Sequence, residues 1–154
     1  MQPIGAVVPL DPAFAGRVYP PTDPYEVERE KIREFALAIG EGHPAHHDPR
    51  AARALGHRDL VAPPTFLSVL MQRATDPVVL DPEIGLDYSR VVHRDQRFVF
   101  GRPVCAGDVL RLVVHIDGVR SLAGSDVLEL RAEAEDVTGG RVATIHMSLV
   151  ARAA

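Results

Sequence analysis

Of the 13 prolines in this 154-residue chain, all but Pro103 lie at or before Pro82. Proline fixes φ, removes a backbone donor and is confined to the edges of sheets. The first half can therefore hold only helices separated by irregular segments, while the second half is free to run as uninterrupted strands. No repeat or low-complexity tract breaks that division, and a chain of 154 residues buries the core of one ordinary domain. The class predicted is α+β.

The apolar period follows the same split. From Gln96 onward it is two. Phe98 and Phe100 share a face. Leu110, Leu112, Val114 and Ile116 alternate with Arg111, Val113, His115 and Asp117. Leu128, Leu130, Ala132 and Ala134 alternate with Glu129, Arg131, Glu133 and Glu135, and Ala143, Ile145, Met147 and Leu149 follow a turn at Thr138-Gly139-Gly140. Four such strands make an antiparallel sheet with one dry face. Upstream, Ile32, Phe35, Ala36 and Ile39 stripe a helix running from about Glu26 or Glu28 to Ile39, stopped by Gly40. Asp48 and Pro49 open a short helix that reaches Leu55 before Gly56. A third helix, from Pro64 to about Ala74, is apolar nearly all round through Phe66, Leu67, Val69, Leu70 and Met71, which predicts that it is buried. A curved sheet wrapped around that helix is the hot-dog arrangement. Residues 13–154 are assigned to it and residues 1–12 to a flexible N-terminal tail. One open sheet leaves edges, so edge-to-edge dimerisation is expected.

Composition narrows the function. A net charge of −4 gives no electrostatic reason to expect nucleic acid or an anionic membrane as partner. No apolar run approaches the roughly 20 residues that span a bilayer, and Met1 to Pro12 lacks the basic start of a signal peptide. The single cysteine, Cys105, excludes an internal disulfide and reads as a small buried side chain. A cytoplasmic location is expected.

The segment Gly40-Glu41-Gly42-His43-Pro44-Ala45-His46-His47-Asp48-Pro49 carries the chemistry. Glu41 and His46 stand five residues apart in an irregular stretch where a loop can aim side chains at a ligand. A carboxylate and an imidazole that share a water can remove and return a proton. From spacing alone, a solvated loop acid and a surface histidine account for the pair as well. A metal site from His43, His46, His47 and Asp48 is disfavoured, because the spacing is too tight for all four to converge on one ion. His57 and His93, beside Arg58 and Arg94, read as surface residues, although His57 could line a pocket mouth. Asp87, Tyr88 and Asp95 read as structural. Downstream, the helix opening at Ala62-Pro63-Pro64-Thr65-Phe66 would point partial positive charge at a ligand carbonyl, yet Pro64 has no N–H to offer.

The run Glu41-Gly42-His43-Pro44-Ala45-His46 with Asp48-Pro49 and Ala51-Ala52 resembles the Gly-Asp-x-Asn-Pro-x-His-x-Asp-Pro signature of the MaoC-like (R)-specific enoyl hydratases and hydroxyacyl dehydratases. Tyr25 to Ala36, Ala62 to Phe66, Leu86 to His93 and Pro103-Val104-x-Ala106-Gly107-Asp108 are similar to a single-domain subgroup that contains the HadA- and HadC-type subunits of actinobacterial (3R)-hydroxyacyl-ACP dehydratases. The resemblance implies a hydro-lyase of the hot-dog fold. It would add water to a trans-2-enoyl thioester, or remove it from a (3R)-3-hydroxyacyl thioester, in fatty acid or polyketide biosynthesis, with no metal or redox cofactor. The substrate would be an acyl-ACP or acyl-CoA, and the assembly a homodimer or a heterodimer with a second hot-dog subunit. Glu41 stands where the family has aspartate, His46 at its histidine, His43 at its asparagine and Pro64 at its helix-opening glycine. Glu41 and His46 are then the catalytic pair, and His43, Ala62, Pro64, Thr65 and Phe66 the substrate-binding positions, with Thr65 the nearest replacement donor. In HadA-type subunits a proline at the helix opening accompanies a non-catalytic, acyl-binding role, which stands as the alternative. A hot-dog thioesterase usually carries its acid on the central helix, and no Asp or Glu lies between Pro64 and Ala74.

Overall fold

The structure, a computed structural model, describes residues 9–152. A two-residue strand β1 (Tyr25–Glu26) precedes helix α1 (Arg29–Ala38), helix α2 (Pro49–Ala54) and helix α3 (Ser68–Val79). Strands β2 (Val91–Phe100), β3 (Val109–Leu122), β4 (Ser125–Asp136) and β5 (Arg141–Ala151) complete the chain. They form one antiparallel sheet in the order β1-β3-β4-β5-β2. The division drawn by the prolines separates the three helices from the four long strands, and the two-residue β1 is the exception, a strand in the half read as helices and irregular segments.

The sheet is curled rather than flat. β3 is long and shifts register between Ile116 and Gly118, and β2 shifts between His93 and Asp95. Bulges of this kind bend a strand and raise its local twist. The concave face then wraps α3. Leu70, Met71, Ala74 and Val78 of the helix are buried with Leu110, Leu112 and Ile116 of β3, Leu128 and Leu130 of β4 and Ile145 of β5. This is the α+β hot-dog architecture expected from the alternating strands.

Several boundaries differ from the sequence reading. The regular part of α3 starts at Ser68 rather than Pro64. Residues 64–67 form a tighter turn, with Phe66 N–H donating to Pro63 O (2.9 Å) and Ser68 N–H to Thr65 O (3.0 Å). The helix then passes through Pro77 to Val79 instead of stopping near Ala74. Pro77 sits in the last turn, where only one backbone bond is given up, and Val78 and Val79 remain buried beyond it. Nor is α3 enclosed all round, since Gln72, Arg73, Asp76 and Pro77 form an exposed face. β2 begins five residues before Gln96, and β1 occupies a place read as helix start. Of the expected tail over 1–12, residues 1–8 lie outside the described residues. Leu10 is buried, and its N–H donates to Asp126 Oδ2 (2.8 Å), so ordered contacts begin before the expected boundary at residue 13. Cys105 is buried and free, and Asp87 caps the short turn Tyr88–Arg90 by accepting from Ser89 N–H.

Candidate functional site

The segment between α1 and α2 is shaped by a succession of local caps. Gly40 takes a left-handed φ of 72° that ends α1, and Glu41 N–H donates back to Ala36 O (2.8 Å). Glycine adopts that conformation without steric cost. His43 then caps the single 3₁₀ turn Pro44–His46, its Nδ1 accepting from Ala45 N–H (3.2 Å). Asp48 caps α2 by accepting from Arg50 N–H (2.9 Å). Asp48 is a residue that favours such a position, whereas His43 caps through a ring nitrogen. Glu41 also turns inward on its own loop, with Oε1 accepting from His43 N–H (2.9 Å).

His46 is the buried member of the set, 8% exposed. Its Nδ1 lies 2.6 Å from Val61 O. A carbonyl can only accept, so Nδ1 carries the ring proton and the lone pair is left on Nε2. That is the tautomer a general base requires. The ring of His43 meets it edge-on, with centroids 5.8 Å apart. His47 points elsewhere and donates from Nε2 to Glu41 O (2.9 Å). Among the described residues no group of three or more His, Cys, Asp or Glu side chains is placed to hold a metal ion.

Two further bonds tie this loop to a facing wall. Val61 N–H donates to Ala45 O (3.1 Å), and Ala62 N–H donates to Val104 O (2.8 Å). Between the two lies an open groove of about 680 Å³. Glu41, His43, His46, Ala62 and Pro64 line it from the loop and the approach to α3, and Phe100, Arg102, Pro103 and Val104 from the segment that leaves β2, with Leu55 and His57 also in the lining. The expected pair Glu41 and His46 therefore shares one groove, although no hydrogen bond joins them. Thr65 and Phe66 are not in the lining. Phe66 is fully buried with its ring edge-on to Phe35 (5.5 Å), which places it in the core rather than against a ligand. Thr65 is exposed, outside the groove, in the turn before α3.

The facing wall was not legible in the sequence beyond the run Pro103 to Asp108. Asp108 has a fully buried carboxylate that accepts from both arms of Arg102 (2.8 and 3.0 Å), from Cys105 N–H (2.8 Å) and from Arg58. Arg102 also reaches Asp136 (3.2 Å). Burial alone would raise the Asp108 pKa, but the Arg102 and Cys105 hydrogen bonds and the two guanidinium charges outweigh it and hold the carboxyl below its usual range. Two arginines and two aspartates leave this knot near neutrality, so the wall is not strongly cationic.

Three comparisons bear on the chain. A family model described as the FAS1-like dehydratase domain region matches residues 13–145. Proteins named UPF0336 from Streptomyces griseus subsp. griseus and Streptomyces avermitilis are 57% and 56% identical over 145 residues, 94% of this chain and 97% of each relative. Among solved structures, a MaoC-like dehydratase superposes with a TM-score of 0.85 at 35% identity over 92% of this chain, which spans 43% of that protein. The HadBC (3R-hydroxyacyl-ACP dehydratase) complex from Mycobacterium tuberculosis gives 0.77 at 37% identity, covering 89% of this chain and 96% of that one. An (R)-hydratase from A. caviae shares the fold at 16% identity with a TM-score of 0.67.

Proposed function

This chain belongs to the family of FAS1-like dehydratase domain regions, and from that premise we propose that it is a hydro-lyase subunit acting on 3-hydroxyacyl and trans-2-enoyl thioesters. The observation that carries the proposal is the His46 Nδ1–Val61 O bond, which leaves the Nε2 lone pair free on a ring that lines the same groove as Glu41.

In the hydration direction, a water held by the Glu41 carboxylate gives a proton to His46 Nε2 as its oxygen bonds to C3 of the enoyl group. The electron pair of the C2–C3 double bond moves toward C2 and the thioester carbonyl. A proton then returns from His46 to C2, leaving the side chains as they began. Dehydration is the reverse, with water leaving from C3. No oxidation state changes overall, so the chemistry calls for no redox cofactor.

The working assembly proposed is a pair of hot-dog subunits, either with a different partner or with a second copy. The outer edge of β2 supports it, because no described strand pairs with that edge and Val92 and Val99 of the strand are exposed. The likeness to one chain of the HadBC complex supports a different partner. A second reading, an acyl-binding subunit without catalysis of its own, is favoured by Pro64, which removes an N–H from the groove wall.

The test is loss of enoyl absorbance from a short trans-2-enoyl thioester, measured on the chain alone and on a complex co-purified with a hot-dog subunit from the same organism. Turnover that disappears in His46→Ala of this chain is the expected result. Turnover that survives His46→Ala in the complex assigns the chain to the acyl-binding role.

A further inference from the structure

A hydro-lyase that acts next to a thioester needs a hydrogen-bond donor at the carbonyl oxygen, because charge gathers there as C2 gains or loses its proton. Most of the backbone N–H groups around His46 are already engaged. The His43 N–H donates to Glu41 Oε1, Ala45 N–H to His43 Nδ1 and His46 N–H to His43 O. Val61 N–H and Ala62 N–H go to Ala45 O and Val104 O, and Pro64 has none. On the facing wall Arg102 turns its guanidinium to Asp108 and Asp136.

His43, on the same wall as His46, offers a side-chain donor. His43 uses its Nδ1 lone pair to accept from Ala45 N–H, so in the neutral ring the proton lies on Nε2. His46 is wired the opposite way, with its proton on Nδ1 and its lone pair on Nε2. Two neighbouring imidazoles with centroids 5.8 Å apart therefore offer opposite functions to one groove, a donor and an acceptor. Neither bond depends on the other, and both are made to backbone atoms of the same wall.

We propose that His43 is a further catalytic residue, whose Nε2–H donates to the thioester carbonyl oxygen while His46 Nε2 moves the proton. The assignment rests on the hydro-lyase reading above. It explains how a groove with proline at its helix opening can still polarise a carbonyl.

The test uses the purified assembly and the crotonyl thioester of N-acetylcysteamine. His43→Ser keeps a side-chain acceptor for Ala45 N–H but removes the ring donor. We expect kcat to fall by about 10² to 10³ with KM and melting temperature nearly unchanged. In His43→Gly, added imidazole should restore part of the lost kcat, which a capping role alone cannot produce. A kcat for His43→Ser within about threefold of the parent, or a lack of imidazole rescue, overturns the assignment and leaves the hydro-lyase reading standing. The carbonyl stretch of the same thioester bound to His46→Ala protein separates the two further. A band moved to lower frequency, and restored in the double variant with His43→Ser, supports the donor even if the parent shows no turnover. An unmoved band overturns it, and absence of both binding and turnover overturns both readings.

Discussion

The loop that carries Glu41, His43 and His46 combines short-range caps with backbone-directed bonds to Val61 and Arg33, whereas the facing wall from Gly101 to Asp108 is held by charges that arrive from far along the chain. In the first, Glu41 accepts from His43 and His43 from Ala45, each two residues away. In the second, Arg58 reaches Asp108 across 50 positions and Arg102 reaches Asp136 across 34. The difference separates two tasks. A loop stabilised by its own caps can exchange side chains for chemistry without loosening the fold. A buried carboxylate that binds several elements together cannot be exchanged without cost to stability. The comparison implies that substitutions in the loop change turnover and substitutions in the knot change folding.

The strongest challenge to that division is His46→Ala. Loss of the base should lower kcat by about 10³-fold or more, while the lost bond to Val61 O should lower stability by only about 1 kcal/mol. Enzyme kinetics and urea unfolding on the same preparation check both numbers, and a variant that fails to fold would break the comparison.

Glu41→Asp comes next. The shorter side chain withdraws the carboxylate from its position beside His43 N–H, and a displacement of that size should reduce kcat by up to about 10²-fold with an unchanged unfolding midpoint.

Asp108→Asn is the opposite case. Its arginine partners are partly exposed and can return to water, so the expected loss is about 2 kcal/mol, seen as a lower urea midpoint at constant m. Turnover measured well below the melting temperature should stay within about tenfold of the parent.

The smallest effects are in the pH dependence of stability. Arg29 donates twice to Asp59 and, with the Leu60 N–H, holds its pKa to about 2 against the opposing effect of burial. A folded pKa below the unfolded one stabilises above the unfolded value, near pH 4, and that contribution drains away as pH falls toward 2. Arg29→Met should flatten the acid limb of melting temperature against pH. Tyr19 shows the reverse sign. Burial and the neighbouring Asp81 carboxylate push its pKa up to about 12. Its contribution is full below pH 10 and is lost as pH rises through 12. Tyr19→Phe should flatten the alkaline limb.

The parts of the molecule that were legible in the sequence are those made by near neighbours. Gly40 as a stop, Asp48 with Pro49 as a start, and the alternation from Leu110 to Ile116 each depend on a few adjacent residues, and all appear in the structure. The misread elements depend on distant ones. The two-residue strand β1 exists because β3 offers Leu110 and Val109 as partners, and Pro77 stays in α3 because the sheet buries Val78 and Val79 beyond it. Phe66 looked like a groove residue from its place after Pro64 and Thr65, but packing against Phe35 draws it into the core.

Proline placement, apolar period and capping act over a few residues, so the α+β division, the hot-dog arrangement and the segment where Glu41, His43 and His46 stand together can be read from the chain alone. The place of the ring proton on His46 was settled by a long-range contact. Val61 O, fifteen residues from His46, is a partner that no local pattern encodes, whereas His43 takes its own, Ala45 N–H, from the turn that it caps. A proton's place on an imidazole depends on what the fold brings to the other side of the ring.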